Sequence, residues 1–153
     1  LTTVRGMDMA MAGTGFAIFS AAMLVMRLTG DAIVSRLGQR AVVLGGTLCT
    51  MLGFLGVIYL PGAAMYLGFF AIGVGAANVV PVFYSLLGRQ DVMPLSTAVP
   101  AVSTLGYLGV LMGPAAIGFL AHAIGIADAF LFLALLVAVE MGIAAYVFRS
   151  VKA

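Results

Sequence analysis

Residues 41–60 read AVVLGGTLCTMLGFLGVIYL, an apolar run without one charged side chain. The hydrocarbon core of a bilayer is about 30 Å thick, and a helix of about 20 apolar residues crosses it. The run is apolar on all sides, whereas the strands of a membrane β-barrel alternate in polarity. It therefore predicts a transmembrane helix.

Four further runs of the same kind lie on either side of this one. The predicted spans cover approximately residues 9–28, 41–60, 63–87, 97–121 and 126–148. Hydrophobic residues make up 64% of the chain and charged residues only 8%, against about 25% charged residues in a soluble domain. In lipid, backbone polar groups must be bonded within their own segment, which favours helices. The sequence predicts an all-α, polytopic transmembrane bundle that forms a single domain over residues 1–153.

Basic residues are distributed unevenly along the chain. Six of the seven flank the first connection, the third connection or the C-terminal tail: Arg27, Arg36, Arg40, Arg89, Arg149 and Lys152. Cytoplasmic loops carry an excess of Lys and Arg, so these regions are predicted to be cytoplasmic. The protein is expected in the plasma (inner) membrane of a bacterium. The N-terminus is then external, and we expect one further helix before Leu1. Because the basic residues lie only at the ends of apolar spans, nucleic acid is not an expected partner.

The first connection, residues 27–40, reads RLTGDAIVSRLGQR. It resembles the cytoplasmic-loop signature of the major facilitator superfamily, in which a Gly, an Asp-Arg pair, a Gly and further basic residues join two helices. Ser35 stands where the family usually has an acid, and Asp31 is the candidate to take its role. The resemblance implies a gating loop that closes the cytoplasmic side in one conformational state; the alternative is a topological anchor only. The residues concerned are Gly30, Asp31, Arg36, Gly38 and Arg40.

Residues 106–118 read GYLGVLMGPAAIG. This stretch looks like the Gly-xxx-Gly-Pro element of helix 5 in the same family, which has a looser counterpart in helix 11. Small residues four apart permit close approach of two membrane helices, so a helix-packing motif is expected at Gly109, Gly113, Pro114 and Gly118. By this resemblance the five spans correspond to family helices 8–12, with helices 2–6 as the alternative. The remaining N-terminal half of the transporter is then an expected partner.

Polar residues inside the spans are candidates for a substrate pathway. Asn78 and Ser85 lie seven residues apart on one face of the third span, and Pro81 between them interrupts the backbone hydrogen bonds. A broken helix beside a polar side chain is typical of transporter binding sites. In the fourth span, Ser103 and Tyr107 share a face at a spacing of four residues. For each of these residues the alternative role is hydrogen bonding or packing between helices.

Glu140 is the only acid in the interior of an apolar span. An ionisable residue within the membrane is costly and marks a functional site by default, so Glu140 is a candidate for proton coupling. The alternative is a neutral or hydrogen-bonded Glu that faces a neighbouring helix.

Other classes of site lack support in the sequence. One cysteine, Cys49, and one histidine, His122, are too few for a His/Cys metal site, and neither a metal nor another cofactor is expected. No catalytic cluster lies within the spans, so the protein is not expected to be an enzyme. The prediction is a secondary active permease that moves a small solute by alternating access with a proton as coupling ion. The alternative is a small membrane scaffold that transports nothing.

Overall fold

The computed structural model describes residues 9–90 and 92–150. Within them the helices are α1 (Met9–Leu28), α2 (Gly30–Leu37), α3 (Gln39–Tyr59), α4 (Met65–Ala76), α5 (Val79–Leu87), α6 (Leu95–Ile124) and α7 (Ile126–Ser150). A 3-10 turn, Gly62–Ala64, precedes α4, and these ranges contain no strand.

Four stretches of the described chain are long and apolar enough to cross a membrane: Gln39–Tyr59, Gly62–Leu87, Leu95–Ile124 and Ile126–Arg149. A bent pair, Gly13–Leu28 with Gly30–Leu37, turns by 62° and supplies a fifth span if its two pieces count as one. The predicted all-α transmembrane fold class is confirmed.

The chain divides into two compact units. The first consists of the residues up to Val79 together with those from Phe130 onwards, and the second is Val80–Ala129. The prediction of a single domain over the whole chain stays a prediction.

Glycines bring α3 and α4 of the first unit to backbone contact. A Cβ atom at Gly46 would lie 2.5 Å from the Gly75 carbonyl oxygen, and one at Gly53 would lie 2.8 Å from the Gly68 carbonyl oxygen. The partners are seven residues apart on each helix, about two turns, so both pairs fall on one face of an antiparallel helix pair. Small residues at such an interface allow the close van der Waals packing that holds membrane helices together.

Helix α4 also packs against α1. A Cβ atom at Gly73 would meet the carbonyl oxygen of Phe19 and the methyl group of Ala22. Met65, at the start of α4, is fully buried. The rings of Phe54 on α3 and Phe130 on α7 lie 5.9 Å apart. The core of the first unit therefore surrounds α4.

The first connection is more ordered than the sequence indicated. The stretch expected to be a polar loop contains α2, which starts just after the bend at Thr29. Gly38 separates α2 from α3 with a φ of 82° and a ψ of 153°, a conformation that essentially only glycine adopts. Gly38 therefore sets the direction in which the chain enters the second predicted span.

Candidate substrate pathway and cytoplasmic loop

Asn78 lies at the interruption between α4 and α5, where the sequence predicted a broken helix. Its side chain is 6% exposed, and its Nδ2 donates a hydrogen bond of 3.1 Å to the backbone carbonyl of Met26 at the end of α1. The two residues are 52 positions apart in the sequence. This bond links two helices, which is the alternative role considered for Asn78. A carboxamide in lipid needs such a hydrogen-bond partner.

Gly30 contacts the same Asn78 side chain from α2. It is buried at the first position of α2, and a Cβ atom there would collide with the Asn78 amide oxygen. The bend between α1 and α2 and the break between α4 and α5 are therefore in direct contact through Asn78. This contact joins the first connection to the interrupted third span.

The charged residues of the predicted gating loop lie at the ends of α2 and α3. Asp31 occupies the first turn of α2 and Arg36 its last turn, and both are exposed. These positions suit the α2 macrodipole, which favours anions at the N-terminus and cations at the C-terminus. Arg40, also exposed, is the second residue of α3, where a positive charge opposes the dipole. Local helix energetics thus account for Asp31 and Arg36 but not for Arg40.

Ser35, at the position of the acid in the family signature, bonds within its own helix. Its hydroxyl group donates to the Ala32 carbonyl at 2.9 Å. This bond uses the hydroxyl proton within α2. The gating role of the loop stays a prediction.

The second unit contains a hydrogen-bonded pair of hydroxyl groups, of which only one was predicted from the sequence. The hydroxyl groups of Tyr84 on α5 and Ser103 on α6 lie 2.8 Å apart. Tyr84 is 38% exposed, and Ser85 beside it is exposed as well. The sequence singled out Ser103 but not Tyr84, because a tyrosine near the end of an apolar run is as common in interfacial belts as in binding sites.

Three prolines lie in the helices that carry these side chains. Pro81 lies in the first turn of α5, where its missing N–H interrupts no helical hydrogen bond. The break at residues 77 and 78 thus lets the helix restart directly before the proline. In α6, Pro100 and Pro114 are both internal, and the Thr104 hydroxyl group donates to the Pro100 carbonyl at 2.8 Å.

Further along α6, Tyr107 is 71% exposed. A Cβ atom at Gly109, Gly113 or Gly118 would meet nothing within 4 Å among the described residues. These glycines have room for a neighbouring helix, and their packing role stays a prediction. The role of Tyr107 in a substrate pathway also stays a prediction.

Glu140 lies in the middle of α7 and is half-buried. It stands about 21 Å along the helix from Ile126 at 1.5 Å per residue, deep within a span of about 30 Å. Its side chain thus lies where a carboxylate is costly, and the assignment to proton coupling stays a prediction.

Comparison with known proteins assigns the chain to a family. No family model and no solved structure matches it. It is 47% identical over 89% of its length to an uncharacterised MFS-type transporter of Yersinia pestis. It is 33% identical over 78% of its length to the membrane protein MosC of Rhizobium meliloti, and 35% identical over 80% to an uncharacterised transporter of Sinorhizobium fredii.

The chain spans about a third of the length of these curated relatives: 36%, 30% and 33% respectively. That share is consistent with the expected C-terminal part of such a transporter. With the loop signature, the Gly-Pro element and the apolar helices, it leads to one assignment. The chain belongs to the major facilitator superfamily of transporters.

Proposed function

We propose that this chain forms the C-terminal helix bundle, family helices 8–12, of a secondary active permease. The permease moves a small solute through the plasma membrane of a bacterium by alternating access, with the C-terminus in the cytoplasm. The observation that carries the proposal is the 47% identity, over 89% of the chain, to a protein named as an MFS-type transporter. The remaining N-terminal half supplies the second bundle, against which this one rocks.

The junction at Asn78 supports a gating role for the first connection. Alternating access requires that closing contacts at one face respond to changes at the midplane site. Because the Asn78 side chain bonds Met26 and contacts Gly30, a displacement of α2 acts directly on the break between α4 and α5. The loop residues Asp31, Arg36 and Arg40 are then the charged contacts that form in one state and part in the other.

Hydroxyl groups supply the candidate contacts to the solute. Tyr84 and Ser103 form a hydrogen-bonded pair, and Ser85 and Tyr107 lie on the same two helices. Each hydroxyl group both donates and accepts hydrogen bonds, a combination suited to a neutral polar solute such as a sugar, a polyol or a neutral amino acid. Pro81, in the first turn of α5, keeps the helix interrupted beside them.

Glu140 is the proposed proton carrier. A carboxyl group in the interior of a span is stable there when protonated and needs water or a cation when ionised. Alternating exposure of such a group to the two sides of the membrane moves one proton per cycle. Glu140 is half-buried on α7, and a change in the helices that face it would change its contact with water.

Transport by the full-length protein tests the proposal. The protein is reconstituted into liposomes that contain a pH indicator, and a panel of sugars, polyols and neutral amino acids is added outside. In liposomes preloaded with its labelled form, a transported member exchanges with that label, and in liposomes without internal solute its net uptake together with protons acidifies the lumen. The variant Glu140→Gln is expected to keep exchange and lose acidification, because exchange needs no net proton movement.

The matched control is Asp128→Asn, which removes the acid in the first turn of the same helix and should retain both activities. If well-reconstituted protein exchanges no member of the panel, the non-transporting scaffold becomes the better explanation. If Glu140→Gln still acidifies the lumen, another group carries the proton.

A further inference from the structure

A cavity of about 190 Å³ lies within the first unit, between α1, α2, α3 and α4. Along α3 it is lined by a single stripe that runs from Ala41 through Val42, Gly45 and Gly46 to Cys49. At 1.5 Å per residue this stripe is about 12 Å long. The cavity is therefore elongated along the helix axis, from the cytoplasmic end of α3 towards the middle of the membrane.

The walls of the cavity are apolar. Helix α2 contributes Ile33 and Leu37, one turn apart, while its charged residues remain exposed. Asn78 lines the cavity as well, but its amide group already donates to the Met26 carbonyl. Leu37 is 65% exposed, so an apolar side chain at the edge of the cavity is open to the surroundings. An amphipathic helix of this kind, with a polar face and an apolar face, is typical of the membrane interface.

Positive charge surrounds the cytoplasmic end of the cavity. Three exposed arginines are direct sequence neighbours of lining residues: Arg27 of Met26, Arg36 of Leu37, and Arg40 of Ala41. Asp31 is the only acid in the same stretch. Arg40 is unfavourable to its own helix because it adds positive charge at the N-terminus of α3. An anion bound there relieves that conflict.

We propose that this cavity binds one acyl chain of an anionic phospholipid whose phosphate group lies among Arg27, Arg36 and Arg40. The geometry matches this ligand in two ways. An apolar stripe of about 12 Å from the interface inwards corresponds to most of one leaflet of a hydrocarbon core about 30 Å thick. Clusters of basic residues at the cytoplasmic surface attract anionic headgroups. Because Asn78 lines the cavity and contacts Gly30, a bound lipid holds α2 against α3 at the proposed gate.

Photocrosslinking of the purified full-length protein tests this site. The probes are phosphatidylglycerol and phosphatidylcholine, each with a photoreactive group in one acyl chain. Phosphatidylglycerol should label peptides from residues 26–49 more strongly than phosphatidylcholine. The triple variant Arg27→Gln/Arg36→Gln/Arg40→Gln should bring its labelling down to the phosphatidylcholine level. About fivefold per arginine is expected, the equivalent of the ordinary attraction of one basic residue for an anionic surface. Glycerol phosphate, which has the headgroup but no acyl chain, should not compete.

A substitution that fills the cavity provides a second test. A Cβ atom at Gly45 meets nothing within 4 Å, so Gly45→Leu places a side chain in the cavity without a backbone clash and should abolish labelling. The matched control is Gly13→Leu on α1, where a Cβ atom also meets nothing within 4 Å and which does not line the cavity. Ala41→Phe obstructs the cytoplasmic end if Gly45→Leu does not fold. Equal labelling by the two lipids, or unchanged labelling in a folded cavity-filling variant, overturns the proposal.

Discussion

Close contact between α3 and α4 leads to a quantitative prediction for Gly53→Ala. A Cβ atom at Gly53 would lie 2.8 Å from the Gly68 carbonyl oxygen and 2.8 Å from the Ile72 nitrogen. Both are backbone atoms of α4, which cannot move aside as a flexible side chain does. To reach an ordinary contact distance, the two helices must separate by about 0.6 Å.

The energetic effect follows from the way membrane helices associate. Lipid is as apolar as the helix surfaces, so close van der Waals packing carries the interaction. A gap of 0.5–1 Å forfeits roughly a quarter to a half of each affected contact, and overpacking of this kind costs about 1–3 kcal/mol. Alanine also stabilises a helix by about 1 kcal/mol relative to glycine, which partly hides the loss.

A matched variant removes this ambiguity. Gly45 lies on the same helix, and a Cβ atom there meets nothing within 4 Å, so Gly45→Ala gains the helix preference without the clash. The difference in free energy of unfolding between the two variants therefore isolates the packing contribution, expected at about 1–3 kcal/mol in favour of Gly45→Ala. Unfolding of the full-length protein by SDS, followed by circular dichroism, measures it. If Gly53→Ala is as stable as Gly45→Ala, α3 and α4 do not pack through these glycines.

Four other substitutions test three separate features. Asn78→Leu removes the bond to the Met26 carbonyl and should cost about 0.5–2 kcal/mol in the same SDS titration. Gly38→Ala forces a side chain into a conformation reserved for glycine and should lower the free energy of unfolding by about 1–3 kcal/mol; an unchanged midpoint would contradict the 82° φ angle. Tyr84→Phe and Ser103→Ala should alter solute exchange equally, and the double variant should add nothing, since one hydrogen bond connects them; additive effects would show that they act separately.

Much of the fold was predictable because a lipid environment permits few backbone structures. Each apolar run must satisfy its own backbone, so runs of about 20 residues become helices. The helix Met9–Leu28 occupies the range expected for the first span, and the helical stretches of the other four spans begin and end within three residues of the expected limits. Glycine and proline at the turns, such as Pro61 and Gly125, supplied the boundaries.

The short helix α2 was missed although the sequence contained its limits. The helix begins at Gly30 and ends just before Gly38, and in its eight residues Ile33 and Leu37 repeat at helical spacing. Eight residues are too few for an isolated helix to be stable, so the helix depends on its contacts with the rest of the first unit, such as the contact between Gly30 and Asn78. The sequence therefore favoured a loop where the structure has a helix.

The sequence by itself determined the membrane environment, the helical class and the resemblance to a transporter family, because these depend on composition, run length and local motifs. Only the tertiary structure decided which glycines bring helices together: Gly46, Gly53, Gly68 and Gly75 meet across α3 and α4, whereas the sequence had pointed to the glycines of α6. It also identified Met26 as the partner of Asn78, 52 residues away. Helical periodicity specifies the face on which a residue lies but not the helix opposite that face, which depends on how the whole chain folds back on itself.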